Sequence, residues 1–211
     1  MREVICAFLF YMTLTVLSQP DEKSGMVKYD KNFEFSDGVY LTFEEFRQNN
    51  PTITDFKITR GNQFSGQIAL EYPCMDKNGN PSSCVVRDCW GYVQNNTVFI
   101  AQGTGGYFFR LHIIGALIHY YAIETYSAPY YDYSYGYPTY RSGRQAQTME
   151  YLIEFETGSK ILFNYRNFSA FLMEKDRELY DELQKTRKKR KMIYHFLIRY
   201  NEKHPVYFMN P

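Results

Sequence analysis

Histidine, cysteine and tryptophan are scarce in this 211-residue chain, with four, four and one copies. The few histidines form no His-Glu-x-x-His pair, and neither a Gly-x-Ser-x-Gly elbow nor a P-loop occurs, so the common motif-borne hydrolase and nucleotide chemistries find no footing. An excess of charge is missing as well. Lys and Arg number 24 against 23 Asp and Glu, a formal net charge of +1, and no global field singles out a polyanionic or polycationic partner. No apolar run reaches the roughly 20 residues that an α-helix needs to cross a ~30 Å hydrocarbon core. Repeats of useful length are also absent.

The chain does carry a distinctive start. Arg2 provides a charge, Val4 to Leu17 is apolar and uncharged, and Val16-Leu17-Ser18 presents compact side chains ahead of Gln19. This is the pattern of a secretory signal peptide over residues 1–18, and it predicts export to the periplasm, the outer envelope or the medium. Cys6 lies too early in the run to be a lipidated cysteine. Three cysteines then remain, Cys74, Cys84 and Cys89. Asn78-Gly79 and Pro81 read as a turn, which places Cys74 and Cys84 opposite each other for a cross-strand bridge and leaves Cys89 over. The competing reading is three reduced thiols. A Cys-x9-Cys-x4-Cys spacing matches no common zinc site.

Aromatic side chains make up 18% of the chain, with 21 Tyr and 17 Phe, and such residues favour half-buried pleated surfaces. Residues 19–37 are polar and charged with isolated Tyr29, Phe33 and Phe35, and read as a linker that becomes ordered toward its end. Val39-Tyr40-Leu41 reads as a strand, and Thr42-Phe-Glu-Glu45 as a capping box opening a short helix that Asn49-Asn50-Pro51 ends. Period-2 alternation predicts strands over Phe56 to Arg60, Gly66 to Tyr72, Cys84 to Val93, Thr97 to Gln102 and Gly106 to Leu111. Ile114 to Ile123 reads as a further strand or a buried helix, and Met149 to Glu156 with Ser159 to Tyr165 as a hairpin about Thr157-Gly158. From Asn167 the period becomes 3.6, with Asn167 and Asp176 as candidate N-caps. A last helix, Arg187 to Glu202, sets Met192, Ile193, Phe196, Leu197 and Tyr200 on one stripe. The order predicts an α+β fold, an antiparallel meander sheet with C-terminal helices packed on one face. It forms a single domain over residues 38–211, interrupted by a Tyr-rich loop at about 124–148.

Gly38-Val-Tyr-Leu-Thr-Phe-Glu-Glu-Phe46 with Asn50-Pro51 resembles the opening of small secreted proteins of unknown function from Bacteroidota. Cys89-Trp-Gly-Tyr92 with the strands after it, and Phe171-Leu-Met, Glu178-Leu and Leu197-Ile-Arg-Tyr-Asn201, are similar to later parts of the same group. The resemblance implies an exported envelope protein without an assigned activity, and it carries over no catalytic residues.

Two regions stand out as candidate sites. Tyr126, Tyr130, Tyr131, Tyr133, Tyr135, Tyr137 and Tyr140 lie among Pro, Gly and Ser; tyrosine stacks on sugars or fills a partner's groove at low entropic cost, although the same composition suits a loose loop. Lys188, Lys189 and Lys191 sit in a basic run after the acidic Glu174, Asp176, Glu178, Asp181 and Glu182. That run reads as a solvated helix surface with charges available for pairing, or as an anion patch in peripheral contact with a membrane. His112 and His119, seven apart, should face opposite sides of a continuous strand and share no metal. His195 reads as a packing residue, and Gly103-Thr-Gly-Gly106 as a turn. No cofactor, metal or catalytic residue is assigned. The expected partner is an envelope protein, with a glycan as the alternative and nucleic acid excluded by export; an unrecognised hydrolase is the remaining rival.

Overall fold

The computed structural model describes residues 25–60, 67–103, 106–132, 136 and 139–210. The proposed signal segment 1–18 lies outside them. The strands are β1 (Met26–Lys28), β2 (Gly38–Tyr40), β3 (Lys57–Arg60), β4 (Ile68–Met75), β5 (Pro81–Val85), β6 (Gly91–Gln94), β7 (Thr97–Gln102), β8 (Tyr107–Ile113), β9 (Leu117–Asp132), β10 (Thr139–Glu154), β11 (Lys160–Leu162) and β12 (Tyr207–Met209). The helices are α1 (Phe43–Arg47), α2 (Tyr165–Lys175), α3 (Arg177–Lys185) and α4 (Ile193–Lys203).

A seven-stranded antiparallel sheet, in the order β11-β10-β9-β8-β7-β6-β2, is the frame of the molecule. Tight turns account for the meander: Asn95 and Asn96, both at positive φ, join β6 to β7, and Gly158 at φ 71 closes β10 onto β11. Side-chain alternation along β9 then decides what each face holds. Ile118, Tyr120 and Ala122 point into an aromatic core with Phe33, Phe35, Tyr40, Phe46, Phe155 and Phe208. Leu117, on the other side, joins Leu152, Phe163, Phe168, Leu172, Leu183, Phe196 and Leu197 in a core beneath α2, α3 and α4. The antiparallel sheet with C-terminal helices on one face is the α+β architecture expected from the residues.

The remaining half of that helix-side face is covered by a second sheet, β3-β4-β5, which packs Leu70 against Val39 and Tyr92. Its hairpin carries the expected disulfide. Cys74 and Cys84 are bonded, with their Cα atoms 5.8 Å apart, although the register pairs Cys74 with Ser82 and Tyr72 with Cys84, so the bridge runs diagonally rather than between facing residues. Closing this short loop contributes on the order of 2–4 kcal/mol, chiefly by restricting the unfolded chain. Cys89 is a free thiol. The strand expected over Cys84 to Val93 is two strands, because the chain leaves the small sheet after β5 and enters the large one at β6. Gly91 allows that entry: a Cβ there would meet the Phe99 carbonyl oxygen at 2.1 Å.

Residues 25–37 pack as part of the domain. β1 pairs with β12, and Tyr29, Phe33 and Phe35 surround Phe208. At the C-terminal helices, Asn164 rather than Asn167 caps α2, its side chain accepting the Asn167 amide at 2.9 Å; Asp176 caps α3 as expected.

Candidate functional site

The described residues of the Tyr-rich region form strands in place of the expected loop. Residues 124–132 and 139–148 continue β9 and β10 as one antiparallel ladder that runs to Asp132 paired with Thr139. β8 stops pairing with β9 at Tyr120, and β11 pairs with β10 only over Tyr151 to Ile153. Beyond Ile123 and Thr148 the hairpin therefore pairs only with itself among the described residues and projects as a two-stranded arm. Aliphatic residues are rare there because, among the described side chains of 124–129 and 142–148, none is buried on either face; Tyr, Thr and Ser suit such a strand, and their low hydrophobicity imitates a loop in the sequence.

Of the tyrosines proposed for the site, Tyr126 is 46% exposed and its hydroxyl donates to Gln145 Oε1 at 3.1 Å across the ladder. Tyr130 pairs with Arg141 and Tyr131 with Tyr140 in the backbone register. Tyr133, Tyr135 and Tyr137 lie outside the described residues.

A polar cluster that the sequence did not disclose sits at the root of the arm. His112 and His119 do not share a strand: the chain turns between β8 and β9, and a bulge at His112 lets Leu111 face Tyr120 and Ile113 face His119. Their ring centroids are 6.3 Å apart. His119 is 1% exposed, with Nε2 3.3 Å from Glu150 Oε2 and 3.4 Å from the Tyr194 hydroxyl. Tyr194 of α4 also donates to Glu150 and lies 2.9 Å from the Tyr121 hydroxyl. The rings of Tyr121, Phe163 and Tyr194 pack edge-on against His119. Helix and arm are thus joined by one hydrogen-bonded group, which fixes the direction in which the arm leaves the sheet.

Burial holds the His119 pKa below the usual histidine value, against the opposing pull of the Glu150 carboxylate and with a smaller push from His112. A folded-state pKa below the unfolded one means that the unfolded chain takes up more protons as pH falls past the unfolded value of about 6.5, so stability declines on acidification and is recovered above it. We expect unfolding free energy to rise from pH 5 to pH 7.5 by at most about 1.4 kcal/mol per pH unit from this group. In His119→Gln that component of the slope disappears; an unchanged slope in urea titrations across this range would exclude His119 as its source.

The lysines proposed as an anion patch lie on the connector between α3 and α4. Lys188 turns the chain at φ 61, and Lys189–Lys191 forms a 3-10 turn. Lys188 and Lys191 are exposed, while Lys189 donates to Gln184 Oε1 at 3.0 Å and lies over the Tyr165 ring.

Two clefts bear on the hydrolase alternative. One, of about 510 Å³, separates the two sheets and is lined by Leu70, Val86, Phe108 and Cys89. Burial, with Asp88 nearby, pushes the Cys89 thiol up to about 11, which leaves it protonated and a poor nucleophile at neutral pH. The other, of about 560 Å³, lies where Lys175 reaches Glu154 at 2.8 Å. Burial raises the Glu154 pKa, but Lys175 and Thr157 outweigh it and hold the carboxyl ionised. That direction is opposite to what a general acid needs.

No family model, curated protein or solved structure matches the chain, and its function has to be argued from its own geometry.

Proposed function

We propose that the protein is an exported, non-catalytic module of the cell envelope that captures a macromolecular partner along its β9–β10 arm. The observation that carries this reading is the ladder from Ile123–Thr148 to Asp132–Thr139, which has no third strand among the described residues. Such a hairpin offers two rows of unpaired backbone donors and acceptors, and an extended segment of a partner can add to either row as another strand. Pro129 removes one donor from β9, whereas β10 contains no proline, so the β10 edge is the better template. Export is supported by the pattern of residues 1–18 and by the resemblance to small secreted Bacteroidota proteins.

The register supplies a clean test. Ile123 faces Thr148, so residues 124–147 can be replaced by Asn-Gly, a two-residue turn suited to a hairpin. Melting should change little, because the arm contributes few buried contacts; the main loss is the hydrogen bond from the Tyr151 hydroxyl to Glu124. The full chain should retain a protein from envelope extract that the shortened chain does not. Retention of the same protein by the shortened chain removes the arm from the binding surface. Captured saccharide in place of protein would transfer the reading to glycan recognition by the exposed tyrosines.

A further inference from the structure

Between Lys185 and Lys191 the sequence has six cations and one threonine, a quarter of the chain's 24 Lys and Arg. The acids upstream could have neutralised them. Instead, Asp176 and Glu178 are held by Lys203, Asp181 by Arg177, and Glu182 by Arg199 at 2.5 Å. Lys185, Arg187, Lys188, Arg190 and Lys191 are exposed and make no ion pair among the described residues. The connector is therefore a concentrated positive patch on a chain of near-zero net charge.

What lies beside it is apolar. Three residues after Lys191, Tyr194 reaches the root of the arm and meets the Tyr121 hydroxyl. Strand alternation puts Ile123 on the same face of β9 as Tyr121, and both are exposed, Ile123 by 55%. Arg144, exposed and without an ion pair among the described residues, shares the parity of Glu150 on β10 and so belongs to that face. Cations on the connector and at Arg144, together with an exposed aliphatic and two amphipathic tyrosines, give the composition of a surface that rests in the headgroup layer of a membrane. A soluble polyanion would engage the cations alone and leave Ile123 without a role.

The geometry points to the α3–α4 connector, together with Tyr121, Ile123 and Arg144 at the root of the arm, as a docking face for an anionic lipid bilayer. This face is made of side chains, Arg144 on the arm among them, rather than the β10 backbone edge assigned to the partner, and it stands whether or not that edge binds a protein. Cations there attract the negative surface, and the attraction decays over a Debye length of ~10 Å at about 0.1 M salt and ~3 Å at about 1 M. Ile123 adds a component that salt does not screen.

The test is sedimentation with vesicles of phosphatidylcholine alone or in equal parts with phosphatidylglycerol, at about 0.1 M and about 1 M salt. The full chain should bind the mixed vesicles at the lower salt and neither kind strongly at the higher. A variant combining Arg187→Gln, Lys188→Asn, Arg190→Gln and Lys191→Gln should lose roughly a hundredfold or more in partition coefficient; asparagine is chosen at Lys188 because it tolerates the left-handed backbone. Ile123→Ser should weaken binding several-fold, and Lys188→Arg with Lys191→Arg should retain it, which separates loss of charge from loss of fold. Failure of the full chain to bind the mixed vesicles overturns the proposal, as does equal binding by the neutralised variant. Binding to heparin without binding to vesicles assigns the patch to soluble polyanions and likewise overturns it, and vesicle binding indifferent to Ile123→Ser overturns the apolar half of the face.

Discussion

Phe208→Ala lowers the free energy of unfolding by about 3–5 kcal/mol, the cost of deleting a fully buried aromatic ring and leaving a cavity. Phe208 is completely buried, and its ring touches those of Phe33, Phe35 and Phe155 at centroid distances of 5.1 Å, of Phe46 at 5.4 Å and of Tyr29 at 5.7 Å. These rings come from three separate parts of the chain, so the cavity cannot close by moving one element. A domain stable by roughly 5–15 kcal/mol loses a large share of its margin. Urea unfolding gives the magnitude, and limited proteolysis should show new cleavage between residues 25 and 37, the segment that Phe208 retains. A midpoint no lower than that of the neighbouring Met209→Ala, whose side chain is exposed, would exclude this account.

Asp176→Ala costs about 3 kcal/mol, combining loss of a helix cap with loss of the buried carboxylate that holds Lys203 and meets His204. Asp176 ends α2 and caps α3. Its Oδ1 accepts the Leu179 amide at 3.1 Å and the Lys203 ammonium at 3.0 Å, and its Oδ2 lies 3.1 Å from His204 Nε2. Burial pushes the carboxyl pKa upward, but Lys203, the Leu179 amide and His204 more than compensate and hold it below the usual aspartate value. A depressed folded-state pKa stabilises above the unfolded value of about 3.9, and that stability is lost as pH falls through the folded value. Asp176→Asn separates the contributions, since the amide keeps an acceptor for Leu179 but no charge. It should fall between wild type and alanine at neutral pH. Lys203 is largely in solvent and its attraction is screened, so the Asn variant should lie closer to wild type as salt rises. Equal losses for Asn and Ala would mean that the charge, not the cap, dominates.

Local features with a strong stereochemical signature were legible in the residues. Asn95-Asn96 and Thr157-Gly158 fixed two turns, the Asn78-Gly79 turn brought Cys74 and Cys84 together, and Thr42 and Asp176 capped helices as their side chains require. Arrangements that depend on distant partners were not. The strands Met26–Lys28 and Tyr207–Met209 are three residues each and exist only because they pair with each other across the length of the chain. The stacking of β3-β4-β5 on the large sheet follows from Leu70 meeting Tyr92 and Val39, contacts between segments with no sequence relation.

The candidate site divides in the same way. Composition marked the tyrosines but missed the arm, because period-2 alternation reports a buried face and an arm has none. The His119 cluster was hidden for a different reason. Spacing arguments for His112 and His119 assume an unbroken strand, and the turn and bulge between them cancel that assumption. Tyr194 fell outside the apolar stripe of α4 because its function there is polar, to bond Glu150 and Tyr121.

The pairing of β1 with β12 also sets a timetable. A ribosome delivers Met209 about 180 residues after Met26, so the first strand of this ribbon waits that long for its partner. Until then Phe33, Phe35 and Phe46 have no Phe208 to close against. The nascent chain consequently carries an open aromatic surface until Phe208 emerges, and closing so long a loop belongs to the slow end of folding. Exported as proposed, the chain would meet this delay on the far side of the membrane, where a holding chaperone would shorten its exposure to aggregation.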